Sequence, residues 1–418
     1  MFFYTVNEGD SLFLIGQRYN ISVEDLRRVN GLTTGNIVPG LALLIPLDIY
    51  TVQPGDTLTQ IARRSFVTLD ELMATNPSVN SHSLHQGTQI KIPNISKFVS
   101  SLSYYVVRNP ELDRLLIDDF APYSSYIAIF EYRFGPNGDI ITELNDLDAI
   151  EETWNNRVMP LATITNLVPE GFSTELVHQV LNNPTARTNL INNIYYLVAS
   201  KGYGGINIDF EQVSSEDRDL LTGFLSQLKR RLESGGYLLT IAVPAKTSDD
   251  IPWVQGYDYA GIGAVVDLMF IMAYDWHYAQ SEPGPVAPIN DVQKTIEYTM
   301  SRLPRNKIIL GVPLYGYDWT IPYEFGTVAS ALSNQQALDR AVLYGVPIHY
   351  SEEFATPYFR YTDEQGQHEV WFEDVRSMGE KMKLVYDYGL HGIGAWQLTL
   401  GFTAGPWIFT KFFTARKV

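Results

Sequence analysis

The chain of 418 residues contains no cysteine, which excludes disulfides and thiolate metal centres. Histidine is scarce as well. The seven present are scattered and none pairs at a ligand spacing, so no metal or other cofactor is expected. Basic residues are in deficit: 30 Lys and Arg stand against 47 Asp and Glu, a net charge of −17. That balance supplies no cationic face for nucleic acid and argues against electrostatic adhesion to an anionic wall. Any attachment to a wall polymer has to come from shaped sites. Long apolar runs are missing too. The longest, Val265 to Tyr274, is interrupted by Asp267 and is too short to cross a bilayer, so no membrane partner is expected. Met1-Phe2-Phe3 lacks the basic start and apolar stretch of a secretion signal.

What the chain has is material for a large core and length for small modules plus one barrel. Before residue 95 it is duplicated. Tyr4-Thr5-Val6 with Gly9-Asp10-Ser11-Leu12 recurs as Tyr50-Thr51-Val52 with Gly55-Asp56-Thr57-Leu58, and Asn30 recurs as Asn76. Each copy reads strand, helix, helix, strand. Tyr-Thr-Val is β-prone, Gly-Asp-Ser/Thr makes a turn and a helix cap, and Asn30-Gly31 or Asn76-Pro77 stops the second helix. The pattern resembles the LysM domain, a module that binds N-acetylglucosamine-containing glycans. The resemblance implies modules at 1–47 and 48–95. It implies glycan contacts around Gly9 and Asp10 to Leu12 with Val38 to Gly40, and around Gly55 and Asp56 to Leu58 with Gln86 to Thr88.

From residue 98 to 418, apolar β-branched runs alternate with amphipathic stretches, which argues for β/α units and a parallel sheet. Eight strands are expected: Leu102–Val107, Tyr126–Glu131, Leu161–Asn166, Gly205–Glu211, Leu238–Val243, Leu268–Asp275, Lys307–Leu314 and Gly392–Gln397. Eight is the number of a (β/α)8 barrel, an α/β fold whose chemistry gathers at the C-terminal strand ends. Residues about 316–372 are too many for one helix, so a small α+β insertion is expected between the seventh and eighth strands.

The fourth strand ends Gly204-Gly205-Ile206-Asn207-Ile208-Asp209-Phe210-Glu211. Alternation puts Asn207, Asp209 and Glu211 on one face, about 7 Å between neighbours, with Ile206, Ile208 and Phe210 packed outward. Three polar groups facing a barrel interior are costly unless paired or functional. Mutual repulsion of Asp209 and Glu211 would keep one carboxyl protonated near neutrality, as a general acid requires. The sixth strand ends Met272-Ala273-Tyr274-Asp275-Trp276, with Met272 and Tyr274 on a shared face; the eighth ends Gly394-Ala395-Trp396-Gln397. Trp396 is a candidate floor for a sugar. Tyr315 in Tyr315-Gly316-Tyr317-Asp318-Trp319 is a candidate for extra contacts, with ordinary packing equally open. Asp267, Glu131 and Asp275 are further pocket candidates, with salt-bridge or capping roles beside that.

These residues together resemble glycoside hydrolase family 18, the chitinase-like barrels, whose fourth strand reads Asp-Gly-x-Asp-x-Asp-x-Glu and whose sixth ends Met-x-Tyr-Asp. With the LysM pair in front, the arrangement is similar to cortex-lytic germination enzymes of endospore-forming bacteria. The sequence departs from the family in three places. Gly204 and Asn207 stand where the first two Asp residues belong, and Thr163 to Asn166 replace Ser-x-Gly-Gly. Asn207 can donate a hydrogen bond but cannot ionise, which leaves the family's charge shuttling open.

The resemblance implies substrate-assisted, retaining hydrolysis with Glu211 as acid and base. Asp209 would orient the substrate acetamide, Tyr274 would bind its carbonyl, and Asn207 would support the pair. The implied partner is a GlcNAc-containing glycan, peptidoglycan of the spore cortex, with chitin as a chemical alternative; the implied location is the spore, cortex or coat, or the cell wall. An inactive glycan-binding barrel and a structural coat component are the competing readings.

Overall fold

The computed structural model describes residues 1–80 and 84–418. Both repeat copies form the expected strand–helix–helix–strand unit. In the first, Phe2–Thr5 pairs antiparallel with Ala42–Ile45 around helices Leu12–Tyr19 and Val23–Asn30. In the second, Ile49–Thr51 pairs with Gln89–Lys91 around helices Leu58–Arg64 and Leu69–Thr75. Ser11 and Thr57 cap the first helices by accepting from the N–H groups of Leu14 and Gln60. The repeated asparagine does more than end a helix. Asn30 is buried, donates to the carbonyls of Leu26 and Leu44, and accepts from Leu44 N–H. Asn76 does the same with Leu72 and Lys91. Each bolts the second helix to the closing strand and satisfies main-chain groups that a two-stranded sheet leaves open.

The catalytic-sized region is a closed barrel of eight parallel strands. They are Lys97–Val106, Tyr126–Arg133, Met159–Thr165, Gly205–Asp209, Leu238–Pro244, Leu268–Met272, Ile308–Pro313 and Gly392–Trp396. The eighth closes onto the first. This is the expected (β/α)8 architecture, with shifted strand ends. The first strand starts at Lys97 rather than Leu102, because its opening residues pair with a short parallel strand, Phe413–Ala415, that the sequence did not suggest. The fourth and sixth strands stop at Asp209 and Met272. Glu211, Tyr274 and Asp275 therefore leave the ladder and stand in the loops at the mouth.

The insertion is a five-stranded antiparallel sheet in the spatial order Ser330–Ser333, Tyr315–Ile321, Gly366–Trp371, Thr356–Asp363, His349–Ser351, with helix Asn334–Tyr344. It carries the two modules. Leu332, Leu338 and Phe359 of the insertion belong to one apolar cluster with Leu26, Leu43 and Leu72 of the modules. Main-chain contacts fix the first module: Ile348 N–H donates to Pro39 O at 2.9 Å, Gln335 to Gly31 O at 3.0 Å, and Arg376 to Gly40 O at 3.1 Å. The second is held by Lys411 donating to Pro93 O at 2.6 Å and by Phe66, whose ring lies against Gly379. Among the described residues, no helix is long and apolar enough to cross a membrane.

Candidate active site

The fourth strand separates two environments by alternation alone. Ile206, Ile208 and Phe210 are buried in the layer between barrel and helices, where Phe210 meets Phe134 and Phe224. Asn207 and Asp209 point inward. Past the strand end, Glu211 reaches an open cleft of about 1100 Å³, and the chain turns at Gln212 with a φ of 55°.

The cleft collects residues from strand ends that are distant in sequence. Asp209, Glu211, Met272, Tyr274, Asp275, Tyr315 and Trp396 all line it. Trp396 forms part of the floor, edge-on to Phe130 at 4.8 Å between centroids and tilted against Tyr104 at 5.3 Å. Asp275 adopts a φ of 63°, a conformation Asp tolerates better than most residues, and accepts from the Tyr315 hydroxyl at 2.7 Å. Asn207 does not line the cleft. It lies beneath it, fully buried, donating to the Tyr104 hydroxyl at 2.9 Å and accepting from Thr240 at 2.8 Å.

Burial sets the electrostatics. It lifts the Glu211 carboxyl well above the carboxylate range, and the charges of Asp209 and Asp275 add to that. Asp209 is pushed up to about 7, first by burial and then by Glu131. Repulsion between the pair is thus real for Glu211 but second to desolvation. One carboxylate oxygen of Asp209 is buried with no hydrogen-bond partner. The Tyr274 hydroxyl is also held far above its usual range by burial, so it stays a proton donor. Two carboxyls raised by burial, one with an oxygen that no described residue hydrogen-bonds, and a phenol facing one aromatic-floored cleft are equipped for acid–base chemistry on a neutral, ring-shaped ligand.

Three supporting residues escaped sequence reasoning. Asn166 brackets Glu211, accepting from its N–H and donating to its carbonyl. Tyr257 donates to Phe210 O at 2.8 Å, and Tyr104 carries Asn207. Asn166 closes the expected third strand and Tyr104 lies on the first, so both had a positional signal; Tyr257 had none. Glu131 pairs with Arg133 and acts on Asp209 through charge. Asp267 lies at the opposite end of the barrel, tied to Lys229 at 2.6 Å and to Leu239 N–H, and takes the salt-bridge role.

In the modules, Gly9 and Gly55 are exposed, with nothing within 4 Å of an added Cβ. The carboxylates of Asp10 and Asp56 turn inward instead. Each accepts from a tyrosine hydroxyl (Tyr4, Tyr50) and a loop N–H (Asn7, Gln53), and pairs with an arginine (Arg18, Arg64). They shape their loops and present no charge outward.

Comparison with known proteins agrees with this construction. The family described as glycosyl hydrolases family 18 matches residues 169–401, and the LysM domain matches 4–46 and 50–93. The chain is 66% identical to the Bacillus subtilis protein named "Putative sporulation-specific glycosylase YdhD", over the full length of both. It is 33% identical to the cortical fragment-lytic enzyme of Bacillus anthracis, covering 99% of this chain and 98% of that one. The crystal structure of the Bacillus cereus spore cortex-lytic enzyme SleL superposes with a TM-score of 0.89 at 32% identity, covering 99% of each chain. With the family matched across more than half of the chain and relatives aligned from end to end, this protein belongs to glycosyl hydrolases family 18 and is a glycoside hydrolase carrying two LysM domains.

Proposed function

We propose that this protein hydrolyses N-acetylglucosaminyl bonds in spore cortex peptidoglycan fragments during germination. The observation that carries the chemistry is the placing in one open cleft of Glu211, whose carboxyl burial lifts well above the carboxylate range, with Asp209, one oxygen of which no described residue hydrogen-bonds. Relatives named for lysis of cortical fragments align over the whole chain, and that supports the substrate.

In this reading Glu211 gives its proton to the glycosidic oxygen as the bond breaks. The substrate's own N-acetyl carbonyl attacks C1, because no separate carboxylate nucleophile is required when the acetamide is adjacent. Asp209 accepts a hydrogen bond from the acetamide N–H through its unpaired oxygen and balances the positive charge that develops. Tyr274 donates to the acetamide carbonyl. Glu211, now ionised, takes a proton from water, and attack on C1 restores the anomeric configuration. Asn207 is fixed between Tyr104 and Thr240 and carries no proton in the cycle; its contribution is to hold the layer beneath Asp209. The modules keep the glycan near the cleft, at the spore.

The test is to incubate wild type and Glu211→Gln with purified cortex fragments and analyse released muropeptides by mass spectrometry. New GlcNAc reducing ends from wild type alone are expected. Muramic reducing ends would refute the bond assignment, and intact fragments that stay bound would favour a glycan-binding protein without turnover.

A further inference from the structure

A second cavity, of about 450 Å³, lies outside the active cleft where the modules meet the catalytic region. Asp56 and Arg63 of the second module form one side. Tyr350 and Glu352 of the insertion, with Arg376 and Glu380 of helix Val375–Tyr388, form the other.

The charges lining it are not equally satisfied. Arg376 is engaged by Asp374 and by Gly40 O, and its guanidinium lies over the Tyr350 ring at 4.3 Å. Arg63 and Glu352 pair at 2.6 Å but are 64% and 72% exposed, a rim pair that opens at little cost. Glu380 differs from both. It is half-buried, yet no described residue donates a hydrogen bond to it or forms an ion pair with it; burial holds its carboxyl above the usual range, against the opposing charges of Lys383, Arg63 and Lys381. The Tyr350 hydroxyl, on which the Glu380 charge acts, makes no hydrogen bond to any described residue either. A half-buried carboxylate with no direct hydrogen bond or ion pair gains from a cation placed against it. The cavity therefore offers an acceptor for an ammonium group and, a few residues away, donors for a carboxylate.

The loop Gly55–Asp56 borders this space, and it is the loop that the LysM resemblance assigns to the glycan. A ligand here would hang from a sugar chain held by the second module. We propose that this cavity receives the peptide stem of a muropeptide, with a stem ammonium on Glu380 and a stem carboxylate on Arg63 and Tyr350. The choice of occupant rests on the peptidoglycan reading above. It gives the enzyme a means of preferring stem-bearing wall glycan over a plain GlcNAc polymer, which lacks both charges.

The probe is the stem tetrapeptide N-acetyl-L-alanyl-γ-D-glutamyl-meso-diaminopimelyl-D-alanine, whose single ammonium is on the diaminopimelate, titrated calorimetrically into the full-length protein. A second titration uses the peptide acetylated on the diaminopimelate amine. Acetylation is expected to weaken binding at least ten-fold. Glu380→Gln should weaken the free peptide equally and erase the difference between the two peptides. Arg63→Gln, at an exposed position, should also weaken binding while leaving the melting temperature unchanged. Hydrolysis of a stem-free GlcNAc oligosaccharide should be untouched in both variants. No binding, or affinities within two-fold across peptides and variants, overturns the proposal. If Glu380→Gln melts early, the two peptides on wild type and the Arg63 variant decide. Cortex fragments cut normally without peptide binding would remove the pocket and leave the glycosidase; peptide binding without glycan turnover would do the reverse.

Discussion

Asn166 holds Glu211 by both ends of one residue: its side-chain oxygen accepts from Glu211 N–H at 2.9 Å, and its amide donates to Glu211 O at 2.8 Å. The Glu211 carboxyl stands beyond the last ladder position of its strand, where no sheet neighbour would fix it. A side chain from the adjacent strand end takes over that duty.

Removing this bracket should separate catalysis from substrate binding. Asn166→Ala leaves a buried N–H and carbonyl unpaired and should destabilise by about 1–3 kcal/mol. Misplacement of the acid should lower kcat on the order of a hundred-fold, with KM nearly unchanged. Steady-state kinetics beside a thermal melt measure both. An unchanged kcat would mean that Glu211 is positioned by other contacts.

Asp209 predicts a trade of stability for activity. Its pKa is raised on folding, from 3.8 to about 7. The folded state therefore keeps a proton that the unfolded chain releases, and stability falls as pH climbs through that window. The loss is on the order of 4 kcal/mol by pH 7 and above. Asp209→Asn abolishes the titration. The variant should be inactive, should melt higher than wild type at pH 7.5, and should lose that advantage near pH 4. A constant melting difference across this range would show that Asp209 does not titrate there.

On the proposed mechanism, the raised Glu211 carboxyl should set the alkaline side of the rate profile. A general acid works only while protonated, so kcat/KM should decline as pH rises through its elevated pKa. The decline should be absent for a substrate whose leaving group needs no proton, such as a dinitrophenyl glycoside. Identical profiles for both substrates would remove Glu211 from the acid role.

Two glycines with the same backbone conformation distinguish the modules. Gly40 and Gly87 have φ of 83° and 84°, but a Cβ on Gly40 would come within 1.7 Å of Ile348 O, while no described residue lies within 4 Å at Gly87. Substitution by Ala carries the left-handed penalty of about 1 kcal/mol at either site. Gly40→Ala should add a further loss of about 1–3 kcal/mol from the clash, visible as a larger drop in melting temperature. Equal drops would mean that the first module is not clamped to the insertion.

At the cleft edge, Trp253 is 76% exposed and still lines the cavity. Such a ring suits stacking on a sugar beyond the cleaved bond. Trp253→Ala should raise KM several-fold for polymeric substrate and leave the melting temperature within a degree, since little packing is lost. A stability change without a KM change would assign it to packing.

Local pattern determined much of this protein. The repeat, with its caps at Ser11 and Thr57, follows from spacing that acts within a few residues. The inward face of Asn207 and Asp209 follows from strand alternation, and the eight-strand count from recurring apolar runs. Tertiary structure decided what depends on neighbours remote in the chain. Alternation placed Asn207 on the face of Asp209, but only packing against Tyr104 and Thr240 put it below the cleft. Composition showed Asp267 as a polar break in an apolar run; its place at the strand's entry, beside Lys229, made it a salt bridge. The short added strand at Phe413, the bracket from Asn166 and the clamping of the first module through Ile348 involve partners far apart in sequence. No local signal encodes them, because each is a main-chain or side-chain group that finds its partner only after the barrel has closed.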